Sequence, residues 1–384
     1  MKYIKIMPII LSLFLIPFMV SGCWNYEEVH EIWIATGIAI DRNKETDKYM
    51  ITVETIKPLG GQELKMLSDF ITFEGETIFD AIRNIIAKSG KKLYWSHAKI
   101  LIASEEVARE GIVPILDFIT RDAEVRSDIW LLVSKEKTAK SILEAKHKMY
   151  DTASFHLDEI LKSEKNLSKF HAVEAWHFLN DLSTDGISAV LPTANLVKKN
   201  SGVSPQAYGT AVFKKDKMIG WINGIETQSM LFVKGKLKGG LIVVENVADT
   251  TTDVALEIFK SHTKVKPISS GDNVIMKIDV KTDVGIAEIT GETDFISKEG
   301  RTKLKAEAEK LVKKQIEQLI KKVQKEFKSD IFGFGNTLQR AEPDVWRKLQ
   351  PDWEDIFSDL ETQVNVEITI SGSALTSKPI KVGD

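Results

Sequence analysis

A single cysteine, Cys23, is the most distinctive reactive side chain in the sequence. The chain has 384 residues and one cysteine, which excludes an intramolecular disulfide, a cysteine pair and a four-cysteine zinc site. Ser21 and Gly22 place small side chains directly before it. Any chemistry of this thiol must therefore be local to its own short stretch.

The stretch upstream of Cys23 has the three parts of an export signal. Lys2 and Lys5 supply a positive start, and residues 6–20 form an uncharged apolar run. This run is shorter than the roughly 20 residues that a membrane-spanning helix needs, and two prolines interrupt it. We therefore expect residues 1–22 to be a cleaved signal peptide.

The sequence VSGC at the end of this signal resembles a bacterial lipobox. It predicts cleavage between Gly22 and Cys23, a thioether-linked diacylglycerol on Cys23, and an acyl chain such as palmitate on the new amino terminus. Two or three acyl chains anchor a protein stably, whereas one holds it marginally. Trp24 would then lie at headgroup depth. The alternative is an ordinary signal peptide followed by a chance cysteine.

The bulk composition limits the class of protein. With Lys2 and Lys5 removed, 50 Lys and Arg stand against 55 Asp and Glu, a formal net charge of −5, which argues against nucleic acid as a partner. At 43% apolar residues the chain can bury substantial cores, and its length predicts two or three domains. No second apolar stretch is long enough to cross a membrane.

The sequence lacks the common catalytic motifs. It has no Gly-x-Ser-x-Gly nucleophile elbow, no His-Glu-x-x-His helix, no phosphate-binding loop and no calcium loop. In GFGNTL (333–338), Leu338 stands where a dinucleotide-binding loop needs its third glycine. We predict that the protein is not an enzyme and needs no cofactor beyond the lipid on Cys23.

Three histidines are candidate metal ligands. His171 and His177 are six residues apart, so on one helix they would lie on different sides and could not easily share an ion. His97 begins a predicted strand and is more simply a structural histidine. The sequence therefore predicts no metal site.

Two charged segments are candidates for contact with a partner. RDAEVRSD contains Arg121, Asp122 and Arg126, which predict either a solvated ion-pair cluster or two arginines that grip carboxylates of a partner. Residues 301–328 carry ten Lys or Arg and four Glu, a net of +6. This helix predicts a solvated face, or contact with anionic headgroups or an acidic partner.

The elements that must position these residues alternate between strand and helix. Residues 31–58 predict a β-hairpin. Three units of a strand followed by a helix come next, which is typical of an α/β fold. Gly90 would end the first of these helices, Ser104 would be the N-cap of the second, and KTAKSILEAK (137–146) would be the third. Residues 187–197 predict a strand, 198–206 a linker and 207–224 a second hairpin. We expect these later strands to pair with the first hairpin. Further strands, the long helix, a shorter helix with two tryptophans and a last strand complete the chain.

The expected fold is α/β (α+β), with three mixed sheet-and-helix domains after the signal peptide. The first domain would be discontinuous, formed by 23–66 and about 183–235, with an α/β domain of 67–182 inserted into it. The C-terminal domain would span 236–384 and contain the long helix 301–328. A simple boundary near residue 200 is the alternative.

Four blocks of sequence, taken in order, resemble one family. They are GCWNYEEVHEIWIATGIAID (22–41), SHAKILIASEEVAREGIVPILDFITRDAEVRSDIWLLVS (96–134), AYGTAVFKKDKMIGWING (207–224) and KSDIFGFGNTLQRAEPDVWRKLQPDWEDIF (328–357). The chain is similar to the C subunit of nutrient germinant receptors of spore-forming bacteria, the Ger(x)C lipoprotein family, and the similarity runs from the lipobox to the last strand.

This resemblance implies residues as well as a role. Cys23 matches the acylated cysteine of the family, and Trp24 and Glu28 match its Cys-Trp-Asp-x-x-Glu start, where Asn25 replaces the usual Asp. Trp24 and Glu28 are candidate contacts with a partner. The family's Arg-Asp stretch falls on Arg121, Asp122 and Arg126, also candidate contacts, and its Asp-Ile-x-Gly-x-Gly stretch on Asp330, Gly333 and Gly335.

The role implied is that of a non-catalytic subunit, lipid-anchored on the outer face of the spore inner membrane. It would act with two integral-membrane partners, the A and B subunits, to trigger germination. A solute-binding lipoprotein that delivers a nutrient to a transporter is the alternative, and a lipid-anchored envelope enzyme is a further rival. The missing catalytic motifs argue against the enzyme, and the dissimilar halves of the chain argue against the solute-binding protein.

Overall fold

The computed structural model describes residues 32–59, 65–145, 152–199, 202–271 and 273–372. They form a nine-stranded sheet, a four-stranded sheet and the helices that pack on both. The predicted mixture of sheet and helix is confirmed. The predicted signal peptide and the predicted sites Cys23, Trp24 and Glu28 lie outside the described residues.

The first sheet is mixed, with parallel strands at its centre. Its strands are β1 (Ile32–Arg42), β2 (Tyr49–Leu59), β3 (Lys65–Gly75), β4 (Lys92–Tyr94), β5 (Ile100–Ala103), β6 (Trp130–Ser134), β7 (Val190–Lys199), β8 (Gly202–Lys214) and β9 (Lys217–Ile222). Their order is β3-β2-β1-β5-β6-β7-β8-β9, and β4 pairs with the start of β1. The central pairs β1–β5, β5–β6 and β6–β7 are parallel. The outer pairs on both sides, β3–β2 and β2–β1 on one and β7–β8 and β8–β9 on the other, are antiparallel.

The first hairpin, β1 with β2, forms as predicted. The expected pairing of the later strands with this hairpin is wrong, because β7 pairs with β6 and the two crossover strands β5 and β6 separate it from β1. The expected linker 198–206 is also wrong: Lys199 pairs with Gly202, so the segment contains the ends of two paired strands. The division into domains stays a prediction.

In the part of the chain that the structure describes, seven helices lie between the strands of the first sheet, and most of them pack on its two faces. They are α1 (Ile78–Ser89), α2 (Glu105–Glu110), α3 (Val113–Arg121), α4 (Lys140–Leu143), α5 (Ala153–Lys162), α6 (Glu164–Leu167) and α7 (Ala175–Ser183). Leu131 and Val133 of β6 join one core and Leu132 joins the other. A strand that is buried on both faces has a continuous apolar sequence, as residues 131–133 of β6 have here.

The ends of these helices follow local rules. Thr77 accepts a hydrogen bond from Asp80 N at the start of α1, and Gly90 ends it in the left-handed conformation. Ser104 accepts from Val107 N at the start of α2, as predicted. The helix expected from KTAKSILEAK is reduced to the four residues of α4.

The long helix packs on the second sheet. Its strands are β10 (Leu241–Val244), β11 (Asp253–Ser270), β12 (Asn273–Thr290) and β13 (Glu361–Gly372), and its helices are α8 (Gly224–Val233), α9 (Lys298–Lys322), α10 (Phe334–Ala341), α11 (Pro343–Leu349) and α12 (Trp353–Asp359). The predicted helix 301–328 is α9 followed by a π-helical turn over Val323–Phe327. The helix expected around Trp346 and Trp353 is two helices.

The core beneath α9 extends into the first sheet. Leu304, Val312 and Leu319 of α9 pack in one apolar cluster with strands β10–β13 and helix α8, and this cluster also includes Val190 of β7 and Val212 of β8. Apolar contact therefore runs from the second sheet into the strands of the first.

Two buried carboxylates on the first hairpin hold the starts of helices. Glu54 of β2 accepts hydrogen bonds from Ala153 N and Ser154 N, both at 3.0 Å, and from the hydroxyls of Ser154 and Thr36. Asp41 of β1 accepts from Ala139 N at 2.6 Å and Lys140 N at 3.0 Å. Free amides at helix starts are natural partners for carboxylates. Burial nevertheless raises the pKa of Asp41, and it raises that of Glu54 to about 7.

Glu54→Gln should reduce the pH dependence of stability. Because the pKa of Glu54 is about 7 in the folded chain and near 4.5 when unfolded, the folded state binds more protons in this window, and the free energy of unfolding falls as the pH rises. Between pH 5 and pH 8 we expect this fall to be smaller by about 2 kcal/mol in the variant. Urea unfolding followed by circular dichroism measures it.

The exposed substitution Glu45→Gln is the control, and it should keep the pH dependence of the wild type. An unchanged pH dependence in Glu54→Gln would show that the buried carboxyl does not titrate in this range.

Candidate functional site

The predicted Arg-Asp cluster lies beside β4, the short strand that pairs with the start of β1. Arg121 and Asp122 line a pocket of about 240 Å³ together with Lys92 and Leu93 of β4. Strand β4 pairs with residues 32–34, the first described residues of the chain. The cluster and the start of the first sheet therefore share one end of the molecule.

The charges of this cluster are paired locally. Arg121 Nε lies 2.6 Å from Asp117 Oδ1 and Arg126 Nη2 lies 2.5 Å from Asp128 Oδ2, and the two arginine side chains are 71% and 60% exposed. The hydrogen bond from Arg126 lowers the pKa of Asp128. Exposed pairs of this kind contribute little to stability. Contact between these arginines and a partner stays a prediction.

The histidines weighed as ligands lie in separate surroundings. His171 is buried with Nδ1 2.9 Å from Glu164 Oε1, and burial lowers its pKa. His177 is exposed and stacks on Trp176 with ring centroids 3.7 Å apart. His97 is exposed near Tyr94. Among the described residues, no three His, Cys, Asp or Glu side chains form a group that could hold a metal ion.

The buried carboxyl of Asp330 is the centre of a polar site that joins the two sheets. Its Oδ1 accepts from Phe332 N at 3.2 Å and Gly333 N at 2.9 Å, and its Oδ2 accepts from Gly335 N at 2.9 Å and Trp353 Nε1 at 3.2 Å. Burial raises the pKa of Asp330 to about 6, although the hydrogen bonds from Gly335, Trp353 and Gly333 oppose the rise. Every donor stabilises the charged carboxylate.

The backbone around Asp330 bonds directly to the first sheet and the segment before β7. Ser188 N donates to the carbonyl of Asp330 at 2.7 Å. Ser329 Oγ lies 3.0 Å from Ser188 Oγ and donates to the Phe213 carbonyl of β8 at 2.9 Å. Lys234 Nζ donates to the Ile331 carbonyl at 3.1 Å, and burial lowers its pKa to about 8. We call the segment 329–336 with these contacts the joint.

The joint depends on two glycines that the resemblance also singled out. Gly333 has φ +76°, the left-handed region that favours glycine. A Cβ on Gly335 would lie 2.6 Å from Gly186 Cα and 2.7 Å from Trp353 Nε1. The segments therefore approach too closely for any side chain at position 335. A cavity of about 220 Å³ lies beside this contact, lined in part by Asp185, Trp346 and Gln350.

Sequence reasoning found part of this site and missed the rest. Asp330, Gly333 and Gly335 were named by resemblance, without a role. Gly186 and Ser188 were missed, although the pair Asp185 and Gly186 is a turn signal. Nothing in the sequence pointed to Lys234.

The basic charge of the long helix is largely paired. Six of the ten basic residues in 301–328 lie within 4.0 Å of a carboxylate, in the pairs Lys303–Glu299, Lys305–Glu309, Lys310–Glu307, Lys313–Glu317, Lys322–Glu226 and Lys325–Asp359. Most of this surface therefore has the local neutralisation of a solvated helix. Across the described ranges, no helix has both the length and the apolar character to cross a bilayer.

Two family models match the chain in succession. A model described as "Spore germination protein N-terminal domain" matches residues 25–196, and one described as "Spore germination B3/ GerAC like, C-terminal" matches 208–374. The break between them falls at the β7–β8 hairpin, whose two strands pair across it.

Individual proteins match over nearly their whole lengths. The chain is 24% identical to spore germination protein YndF of Bacillus subtilis, covering 96% of this chain and 98% of the relative. It is 24% identical to spore germination protein KC of the same organism, covering 97% and 96%. The crystal structure of the GerBC protein matches with a TM-score of 0.57 and 20% identity, covering 90% of this chain and all of that one, and so shows the same fold.

Fold and sequence thus define a two-sheet protein of the spore germination class. The chain belongs to the Ger(x)C family of spore germination proteins. This membership gives it a role connected with germination and associates it with germinant receptors and the spore.

Gly335→Ala should destabilise the protein through the joint. The added methyl would collide with the backbone of Gly186 and the indole of Trp353, and overpacking of this kind costs about 2 kcal/mol. Gly372→Ala is the matched control, since its Cβ would meet nothing within 4 Å. Urea unfolding compares the two variants. Equal stabilities would contradict the close approach at the joint.

Proposed function

We propose that this protein is a lipid-anchored, non-catalytic subunit of a nutrient germinant receptor. It would work with integral-membrane A and B subunits on the outer face of the spore inner membrane. The observation that carries the proposal is the succession of two germination-family models from residue 25 to residue 374, with a gap of only eleven residues between them.

The use of buried polar groups supports a structural and coupling role. The buried carboxyls of Asp41, Glu54 and Asp330 are each hydrogen-bonded to backbone N–H groups. A carboxyl engaged in this way holds an element in place and is poorly suited to move protons for a substrate. The function would therefore lie on the surfaces that the rigid body presents to its partners.

The lipid anchor would place the first sheet close to the membrane. Ile32, the first residue of β1, is nine positions after Cys23, and nine steps of a fully extended chain span at most about 30 Å. The end of the sheet that holds β4 and the Arg121 cluster would then face, or lie near, the bilayer and the membrane-embedded subunits.

The solute-binding alternative gains no support from the architecture. Such a protein would usually have two similar lobes joined by crossovers, whereas here a nine-stranded mixed sheet is joined to a four-stranded sheet. We therefore propose that nutrient recognition lies mainly in the A and B subunits and that this chain stabilises or couples the assembly.

Cys23→Ala should abolish the contribution of this protein to germination. Without the thiol no diacylglycerol can be attached, and the body loses its tether to the membrane. Spores of this strain should respond to nutrients as slowly as spores of a deletion strain, measured as loss of optical density after nutrient addition.

Ser21→Ala is the matched control, because it keeps a small residue before the cysteine and should germinate like the wild type. Immunoblots of spore membranes must show that both variants are produced. Normal germination of Cys23→Ala spores would contradict the anchored role, and normal germination of the deletion strain across a broad nutrient panel would contradict the receptor assignment.

The purified full chain should not bind nutrients tightly by itself. Isothermal titration of amino acids and sugars into the chain in detergent is expected to give no saturable heat, because the buried polar groups described above are already paired. A dissociation constant below about 10 µM for any one nutrient would assign recognition to this subunit and contradict the coupling role.

A further inference from the structure

A groove of about 720 Å³ runs between strand β10 and helix α9. Four of its lining residues are large, apolar and 44–51% exposed, namely Leu167, Ile225, Leu241 and Val243. Apolar side chains gathered in one exposed groove mark an interaction site more often than scattered ones do.

One wall of the groove is the open edge of a sheet. Strand β10 ends the order of the second sheet and pairs with β11 alone. The carbonyl of Leu241 accepts from the side chain of Gln228 at 3.2 Å, whereas the carbonyl of Gly240, one residue earlier, accepts from Ile258 of β11. Alternate residues of a strand direct their backbone N–H and C=O groups to opposite edges. Because Gly240 faces β11, Leu241 and Val243 direct these groups away from β11 and toward the groove.

This edge lacks the protection that a neighbouring edge has. Beyond Ile258, β11 extends past the end of β10, and there Lys260, Lys264 and Lys266 are exposed. Lysines on an edge strand discourage pairing with another chain. Strand β10 has the sequence LIVV and carries no charge, so no charged side chain of its own opposes pairing with a further strand.

The rest of the groove favours negative charge on whatever binds. Lys169 and Lys314 line it and, within the described ranges, have no carboxylate within 4.0 Å; Lys169 donates to Gln228 Oε1 instead. Lys310 is 3.8 Å from Glu307, and Glu245 also lines the groove. The ammonium groups of Lys169 and Lys314, whose charge no nearby carboxylate of the described residues neutralises, lie beside an apolar edge. They therefore fit a segment that alternates apolar and acidic residues.

We propose that the groove binds an extended, apolar and acidic segment of a partner protein, which adds to β10 as a new strand. Main-chain hydrogen bonds to Val243 and to the N–H of Leu241, whose carbonyl already accepts from Gln228, would supply affinity, and the two lysines and the apolar side chains would select the sequence. The four residues of β10 match a segment of about 13 Å. The inference does not depend on the lipid anchor or on the identity of the membrane subunits.

The test uses three fluorescent hexapeptides and the full chain in detergent. The first peptide alternates Val and Glu, the second alternates Val and Lys, and the third is the Val and Glu peptide N-methylated on the edge that would face β10. Fluorescence anisotropy should show saturable binding of the first and at least about tenfold weaker binding of the other two. The N-methylated probe tests strand addition without altering the protein.

Two pairs of variants test the location. Val243→Pro removes an outward N–H without breaking the ladder to β11, and Val243→Thr keeps it. Lys314→Glu reverses a charge in the groove, whereas Lys321→Glu reverses an exposed charge on the same helix outside it. We expect at least about a tenfold loss for Val243→Pro and Lys314→Glu and less than about threefold for the two controls. Circular dichroism confirms that each variant is folded.

Several results would overturn the proposal. They are failure of the Val and Glu peptide to bind the wild type, equal binding of the Val and Lys or N-methylated peptide, and binding that is insensitive to both Val243→Pro and Lys314→Glu. Sedimentation that shows a dimer of the wild type, lost in Val243→Pro, would assign the groove to a second copy of the chain instead.

Discussion

The carboxyl group of Asp330 must find all its hydrogen bonds inside the protein, because burial separates it from water and an unpaired buried charge is costly. Three of its donors are backbone N–H groups of the turn that follows α9, and the fourth is the indole of Trp353. To direct three amides at one carboxyl, the turn adopts the left-handed conformation at Gly333. The same turn bonds to Ser188, so satisfying one carboxyl also sets how the second sheet meets the first.

The first hairpin solves the same problem with different elements. Glu54 and Asp41 lie on neighbouring strands, and each binds two N–H groups at the start of a helix on the same face of the sheet. These bonds fix where α4 and α5 lie on the sheet, since a helix that shifted would leave a buried carboxyl unpaired. These buried acids hold neighbouring elements in place, and their raised pKa values follow from burial.

Local features were predictable from the sequence and long-range ones were not. The first hairpin, the C-cap of α1, the N-cap of α2 and the position of α9 follow from periodicity and cap residues, which depend on neighbours a few positions away. Strand order does not, because period-two alternation says which face of a strand is buried and nothing about its partner. Hence β7 was placed beside the first hairpin, although β5 and β6 lie between them.

The same distinction applies to the candidate site. The polar residues of 198–206 predicted a linker, because a hairpin end and a linker have the same composition. The resemblance named Asp330, Gly333 and Gly335, but their roles depend on Trp353 and Gly186, which are distant in the sequence. No local pattern could have paired residue 335 with residue 186.

The contacts of the joint bear on the proposed coupling role. Helix α9 forms one wall of the groove, the turn after α9 holds Asp330, and Asp330 bonds to the segment that leads into β7. From β7 the hydrogen-bonded order runs through β6 and β5 to β1, where the predicted tether begins. Energetic coupling is carried through packed and hydrogen-bonded elements of this kind. A segment bound at β10 and a lipid attached before β1 would therefore act on one connected body, which is the arrangement that a coupling subunit requires.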